Sequence, residues 1–178
     1  LGYQMALALA GQGVKVLAVA RSIDDLKDLQ SRDPERIAVS QCDMLDAAAV
    51  EALPEQAREL FGSIDIVVNN AGIAPATPFL QQDFDEWQRV FAVNVTAPAI
   101  LCRAAGEHMV AQGSGKIINV ASTSGILGKA SLAAYSSSKG AVLQFTKSLA
   151  AEWAKFGVQV NAIAPGAFKT DAQAKVME

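Results

Sequence analysis

The sequence predicts an α/β fold in which a doubly wound parallel sheet is covered by helices on both faces. The first observation is that helix-like and strand-like apolar periodicity alternate along the whole chain, as they do where helices connect parallel strands. The second is that the segment IDIVVNN (64–70) carries its apolar residues in succession, which is typical of a strand buried on both faces. No fixed-period repeat or low-complexity linker interrupts the alternation, so we predict one domain over residues 1–178.

The predicted elements follow one another without long gaps. The first helix is closed by Gly11 and Gly13, and the valine-rich run VKVLAVA that follows is short enough to be a buried strand. A later helix begins behind Asp46, a residue type that favours helix N-termini. The predicted helices span 2–11, 23–31, 47–62, 84–112 and 133–156, and the predicted strands span 14–20, 36–43, 64–70, 116–122 and 158–165.

Composition excludes several functional classes. With 51% apolar residues, 19% charged residues and a net charge of −3, neither nucleic acid nor an anionic membrane is expected as the main partner. Cys42 and Cys102 are far apart in sequence and form no CxxC pair, so we predict neither a disulfide framework nor a metal site, and a reducing, cytoplasmic location. The single histidine, His108, is predicted to lie on the surface near the end of a helix.

Four polar residues in the second half of the chain are candidates for catalysis. They are Asn94 in FAVNVTAP, Ser122 in INVASTSG, and Tyr135 with Lys139 in AAYSSSKGA. Tyr135 and Lys139 are four positions apart and therefore share one face of a helix. A phenol is a poor acid–base catalyst at neutral pH, and a neighbouring ammonium favours its ionised form. The three serines between this pair are interpreted as small helix-filling residues.

Together with NNAG (69–72) and NAIAPG (161–166), these residues resemble the short-chain dehydrogenase/reductase family, from Leu1 to about Thr170. The 3-oxoacyl-carrier-protein reductase and gluconate dehydrogenase branches are the most similar. The resemblance implies a Rossmann-like fold and an oxidoreductase that interconverts a ketone and a secondary alcohol by hydride transfer.

The same resemblance implies a role for each catalytic candidate. Tyr135 would exchange a proton with the substrate oxygen, and Lys139 would support it and hold the nicotinamide ribose. Ser122 would orient and polarise the reacting carbonyl. Asn94 would anchor a water that links Lys139 to solvent.

Cofactor contacts are likewise implied by resemblance. Gly2 corresponds to the last glycine of the family's TGxxxG[IL]G turn, where a glycine lets the backbone approach the pyrophosphate at a helix N-terminus. Asp43 and Met44 would meet the adenine, and the NNAG segment would border the adenosine ribose. The full set of predicted cofactor contacts is Leu1, Gly2, Arg21, Asp43, Met44, Asn69, Ala71, Gly72, Tyr135, Lys139, Pro165, Gly166 and Thr170.

The end of the predicted strand 14–20 favours NADP(H) over NAD(H) as the cofactor. Ala20 stands where NAD-dependent relatives carry an acidic residue for the ribose hydroxyls, and Arg21 follows it directly. A guanidinium there attracts a 2′-phosphate, and the missing carboxylate removes a repulsion. The alternative is that Arg21 is a solvated side chain at a strand end.

For both the oligomeric partner and the substrate, the sequence leaves two alternatives. Relatives pair the helices corresponding to 84–112 and 133–156, which predicts a homodimer or homotetramer; alternatively, the apolar faces of these helices only cover the sheet. The small-molecule carbonyl or alcohol substrate is either a 3-oxoacyl thioester or a sugar acid or polyol. The loop 123–134, the segment 73–79 and the family's C-terminal flap, which this sequence lacks, are expected to govern this choice.

The chain is also predicted to be truncated at both ends. The family's first strand, most of its glycine turn, and its C-terminal flap and last strand have no counterpart in residues 1–178. An alternative to the enzyme is therefore a non-catalytic nucleotide-binding or scaffold fragment.

Overall fold

A computed structural model describes residues 1–167, and every predicted helix and strand forms within them. The strands are β1 (Val16–Ala20), β2 (Ile37–Gln41), β3 (Ile66–Asn69), β4 (Gly115–Val120) and β5 (Val158–Ile163). The helices are α1 (Gly2–Gly11), α2 (Ile23–Arg32), α3 (Ala47–Phe61), α4 (Phe84–Phe91), α5 (Ala97–Gln112), α6 (Ser124–Leu127) and α7 (Ala133–Trp153).

Local chemistry explains where the connecting helices begin and end. The side chain of Ser22 accepts a hydrogen bond from the first turn of α2, and that of Asp46 does the same for α3, which satisfies backbone donors that the helix leaves unpaired. Gly62 and Gly113 end α3 and α5 with φ of 88° and 74°, a left-handed conformation that glycine adopts without steric cost.

The strands form two parallel sheets. β1 pairs with β2, and β3, β4 and β5 pair in that order, with β4 in the centre. Among residues 1–167, no strand pairs with the second edge of β1 or of β3. The predicted parallel α/β arrangement is confirmed, and it is divided between a two-stranded and a three-stranded half.

Three apolar clusters hold these elements together. One cluster packs α1 and α2 on the two-stranded sheet, and another packs α5 and α7 on the three-stranded sheet. A third cluster lies where α3 meets α5 and includes Val19 of β1, so it connects the two halves. Its buried members are Cys42, Val50, Leu53 and Ala97.

The tract 84–112 differs from the prediction of one continuous helix. A π-helical turn, Ala92–Thr96, separates α4 from α5. Such a turn accommodates one extra residue without breaking the helix, and apolar periodicity does not reveal it. No helix in the described part of the chain is long and apolar enough to cross a membrane.

Candidate active site

The candidate site lies where β3, β4 and β5 end. The segment NNAG begins at the last residue of β3, Ser122 follows β4, and Pro165 follows β5. Because carboxyl ends of parallel strands meet at one edge of the sheet, these segments are neighbours. The backbone N–H of Thr123 donates to the carbonyl of Pro165 at 3.0 Å, which joins the loops after β4 and β5.

Asn94 occupies the middle of the π-helical turn and is only 1% exposed. Its Oδ1 accepts a hydrogen bond from the backbone N–H of Ile73, and its Nδ2 donates to the carbonyl of the same residue, both at 2.9 Å. The Nδ2 group also donates to Ser138 Oγ at 3.0 Å. The side chain thereby joins the segment after β3 to α7.

Tyr135 and Lys139 lie near the start of α7, on one face as predicted. The ammonium of Lys139 is 5.8 Å from the centre of the Tyr135 ring and donates to the carbonyl of Val120 at 2.6 Å. Lys139 is 5% exposed, and burial lowers the pKa of its ammonium to about 8 because a low-dielectric environment disfavours the charged form.

Ser122 is held against α7 by the short helix α6. Its Oγ accepts a hydrogen bond from the backbone N–H of Ser124 at 3.1 Å, and the residue is 8% exposed. Gly125 permits the close approach of the two helices, since a Cβ there would lie 2.6 Å from the carbonyl carbon of Lys139. The loop that carries Ser122 is thus fixed next to the turn that carries Tyr135.

Gly72 lies against two of the catalytic candidates. A Cβ at this position would be 3.2 Å from Asn94 Oδ1 and 3.6 Å from the ammonium of Lys139. A side chain larger than hydrogen would therefore crowd the Asn94 oxygen, whereas its distance from the ammonium is an ordinary van der Waals contact. The structure places the four predicted catalytic residues, from three separate segments of the chain, around this part of the sheet edge.

A buried polar chain beneath the site was missed by the sequence analysis. Asn69 Nδ2 donates to Asn119 Oδ1 at 2.8 Å and to Cys102 Sγ at 3.2 Å, and Asn119 Nδ2 donates to Thr146 Oγ1 at 2.9 Å. Burial raises the pKa of the Cys102 thiol to about 11, so it stays protonated. The one sequence feature that could have indicated these buried hydrogen bonds is the asparagine within the apolar strand KIINV.

The Nδ2 group of Asn69 is occupied by these hydrogen bonds, so any contact that Asn69 makes with a nucleotide falls to its Oδ1 or its backbone. Asp43 follows β2, and its Oδ1 accepts the backbone N–H of Leu45 at 3.0 Å. Met44 packs against the cluster shared by α3 and α5. Thr170 lies outside the described residues.

Two features of the predicted nucleotide site suit a phosphate. Gly2 begins α1 beside Asn70, where a Cβ would lie 2.6 Å from Asn70 Nδ2, and no side chain caps this helix N-terminus within residues 1–167. Backbone donors at such an end suit an anion. Arg21 is exposed after β1, and its carbonyl accepts Gln41 Nε2 at 2.8 Å. The residues present therefore fit a nicotinamide dinucleotide.

Sequence comparison identifies the family. The family described as "short chain dehydrogenase" matches residues 1–178. A 2-dehydro-3-deoxy-D-gluconate 5-dehydrogenase of Bacillus subtilis is 41% identical over 96% of this chain and 67% of its own length. A 3-oxoacyl-[acyl-carrier-protein] reductase of Synechocystis is 38% identical over 96% of this chain and 71% of its own length.

Solved structures agree with this result. A gluconate 5-dehydrogenase from Burkholderia cenocepacia, in complex with NADP and tartrate, is 32% identical with a TM-score of 0.90, over 98% of this chain and 69% of its own. An NAD⁺-bound xylitol dehydrogenase is 29% identical with a TM-score of 0.93, over 99% of this chain and 69% of its own. The chain thus spans about two thirds of the length of these proteins.

Proposed function

Because the chain belongs to the short-chain dehydrogenase family of oxidoreductases, we propose that it catalyses the NADP(H)-dependent interconversion of a ketone and a secondary alcohol. The observation that carries this proposal is the Tyr135–Lys139 pair, in which a buried ammonium lies 5.8 Å from the phenol ring. Buried groups interact more strongly than solvated ones, because water no longer screens them.

The proton steps are assigned to this chain's own residues. In the reducing direction the Tyr135 hydroxyl gives its proton to the substrate oxygen, and in the oxidising direction the phenolate takes it back. Ser122 donates a hydrogen bond to the same oxygen, which orients and polarises the carbonyl. When bound, the nicotinamide supplies hydride to the carbonyl carbon or accepts it from the alcohol carbon.

Asn94 and Lys139 are assigned to resupply of the proton. Both hydrogens of Asn94 Nδ2 are already donated, so the water of the proposed relay is bound through an oxygen of this residue. Lys139, whose pKa burial lowers to about 8, is able to exchange its proton near neutral pH. The same ammonium would hold the nicotinamide ribose.

Tyr135→Phe tests the reaction. We expect turnover to fall by about 10²- to 10⁴-fold, the usual contribution of general acid–base catalysis, while NADPH affinity measured by fluorescence titration changes little. Tyr3→Phe is the matched control, since the hydroxyl of the chain's other tyrosine bonds to Asp28 on the exposed surface. If the unmodified protein binds NADPH and turns over no ketone or alcohol, the scaffold alternative replaces the enzyme.

The preference for NADP(H) is proposed on the chemistry around Arg21. Its exposed guanidinium follows Ala20 with no acidic side chain at that position, and a charge-assisted hydrogen bond contributes about 1.5–3 kcal/mol. Arg21→Ala should therefore raise the dissociation constant of NADPH about 10-fold or more and leave that of NADH nearly unchanged. Arg36→Ala, whose guanidinium pairs with Asp33 instead, is the control. Equal weakening of both nucleotides would refute the assignment.

Substrate choice is assigned to segments 73–79 and 123–134. They are joined by a hydrogen bond from the N–H of Thr77 to the carbonyl of Ser131, at 2.9 Å. Exposed apolar side chains, including Ile126 and Leu127 at 64% and 82% exposure, lie in the second segment. Comparing kcat/KM for a 3-oxoacyl thioester and for a keto sugar acid distinguishes the two substrate classes represented among the relatives.

Assembly is proposed to use α5 and α7. Gly106 permits the close approach of these helices, since a Cβ there would collide with the ring of Trp153, and Phe156, which follows α7, remains 38% exposed. We propose that a second copy covers this face, giving a homodimer or homotetramer. Sedimentation equilibrium tests this proposal, and a monomeric mass would refute it.

The two free cysteines, Cys42 and Cys102, support the proposal of a cytoplasmic location.

A further inference from the structure

Ser138 lies between the two residues to which the proposed function assigns acid–base chemistry. It follows Tyr135 by three positions and directly precedes Lys139. The sequence suggested that it only fills space in the helix, like its neighbours Ser136 and Ser137. Its side chain is, however, 0% exposed and makes two hydrogen bonds.

The directions of these two bonds are determined by the donors available. The Ser138 hydroxyl donates its single proton to the carbonyl of Tyr135, at 2.7 Å. Its oxygen therefore serves as acceptor for Asn94 Nδ2, at 3.0 Å. Since the other Nδ2 proton is donated to Ile73, Ser138 completes the hydrogen bonding of the Asn94 amide group.

Removing the Ser138 hydroxyl would leave a buried donor without an acceptor. Asn94 is 1% exposed, so water cannot easily replace the lost bond, and an unsatisfied buried donor is costly. The amide of Asn94 would then be free to shift. Because Asn94 Oδ1 and the Lys139 ammonium both face Gly72, such a shift would change the surroundings of the ammonium.

We propose that Ser138 is a positioning residue for the reaction. Through Asn94 it holds the turn of α7 that carries Tyr135 and Lys139 in register with the segment that follows β3. In this role Ser138 itself contacts neither the substrate nor the proton that is transferred to it. The inference rests on the proposed function, since it concerns the geometry of that same site.

Ser138→Ala in the purified protein, compared with Ser136→Ala, tests the inference. The Ser136 hydroxyl is buried without a hydrogen-bond partner, so its removal matches the change in volume and breaks no bond. For Ser138→Ala we expect kcat to fall about 10- to 100-fold, the scale of a small misplacement of catalytic groups, with the KM for nucleotide little changed. The midpoint of the pH–rate profile should also move. A purely structural role would reduce the amount of active protein and leave that midpoint in place.

A double-mutant cycle examines whether the effect passes through Asn94. If it does, the double variant of Ser138→Ala and Asn94→Ala will be no slower than Asn94→Ala alone. Additive losses would overturn the inference, and so would a Ser138→Ala enzyme that matches Ser136→Ala in kcat and pH profile.

Amide hydrogen exchange separates this inference from the proposed function. The N–H of Ile73 bonds to Asn94 Oδ1, so loosening of Asn94 should accelerate its exchange about 10-fold in Ser138→Ala and not in Ser136→Ala. An unmodified protein without turnover would overturn the proposed function. In that case accelerated Ile73 exchange would still support the positioning of Asn94 by Ser138, and unchanged exchange would overturn it.

Discussion

The two sheets of the molecule differ in how fully their strands are covered. In the three-stranded half, Ile117 and Asn119 of the central strand β4 are both 0% exposed. In the two-stranded half, Ala18 alone among the five residues of β1 is buried, and the other four are partly exposed. The difference arises because β4 has a strand on either side, whereas β1 pairs with β2 alone among the strands of residues 1–167.

This difference matches the division of chemistry between the halves. The residues proposed for catalysis lie at the ends of β3 and β4 and on the helices that cover them, where burial shifts the pKa of Lys139 and strengthens hydrogen bonds. Arg21, proposed to bind a phosphate, lies at the exposed end of β1. The residues proposed for proton transfer thus lie in the more covered half, and the residue proposed to bind a phosphate lies in the more exposed half.

The largest expected effect that tests this comparison is the loss of a core side chain. Met109 is 0% exposed and packs on the three-stranded sheet, whereas Leu26, 3% exposed, packs on the two-stranded sheet. Truncation to alanine at a buried site costs about 2–5 kcal/mol, depending on how far the surroundings collapse. We expect the loss of unfolding free energy, measured by urea denaturation, to be near the upper end of this range for Met109→Ala and near the lower end for Leu26→Ala. A larger loss for Leu26→Ala would contradict the comparison.

A second, slightly smaller effect concerns the stability cost of the buried ammonium. Its pKa of about 8 in the folded protein lies below the ordinary value of 10.5, so the unfolded chain binds more protons between these values. Stability consequently rises with pH across this window, by up to about 3 kcal/mol. Lys139→Met should be more stable than the unmodified protein near neutral pH, and that advantage should shrink above pH 8.

Thermal unfolding of both proteins across this pH range measures the effect. Lys116→Met is the matched control, because Lys116 lies on the same sheet and is exposed, so its replacement removes no buried charge. A constant advantage for Lys139→Met would show that burial does not perturb the ammonium.

The smallest effect is expected at a helix cap in the two-stranded half. The Ser22 side chain accepts the backbone N–H of Asp25 at 3.3 Å, and loss of such a cap costs about 1 kcal/mol. Ser22→Ala should lower the urea midpoint modestly and leave NADPH turnover unchanged at saturating nucleotide. Ser31→Ala, which removes an exposed hydroxyl later in the same helix, should have less effect. Ser31 Oγ donates to the carbonyl of Asp28 at 2.7 Å, so equal losses in both variants would mean that the cap contributes no more than this exposed hydrogen bond.

Much of the fold could be predicted because the elements carry strong periodic signals. The helix starting behind Asp46 and the strand within 64–70 were anticipated, with ends that moved by no more than about two residues. The π-helical turn was not, since one additional residue in a helix leaves the apolar pattern of 84–112 nearly unchanged. The separation into two sheets follows from strand pairing, which local periodicity does not specify.

The residues proposed for catalysis were identified from motifs that resemble those of the short-chain dehydrogenase/reductase family. Tyr135 and Lys139 share a helix face wherever that helix lies, and a serine after a strand is visible beside its neighbours. The lowered pKa of Lys139 could not be predicted from the sequence, because it depends on burial by residues distant in sequence. For the same reason, the role proposed for Ser138 could not be distinguished from those of the two adjacent serines by sequence.

Local sequence thus determined where the helices and strands lie, through apolar periodicity. It also determined the order of the candidate catalytic groups, through short motifs. The hydrogen bonds that join Ile73, Asn94 and Ser138, and the polar chain through Asn119, were decided by the tertiary structure. They depend on side chains that meet only after β3, β4 and the helices have packed. Burial is a property of the packed chain as a whole, and it determines which of these polar groups act and which only fill space.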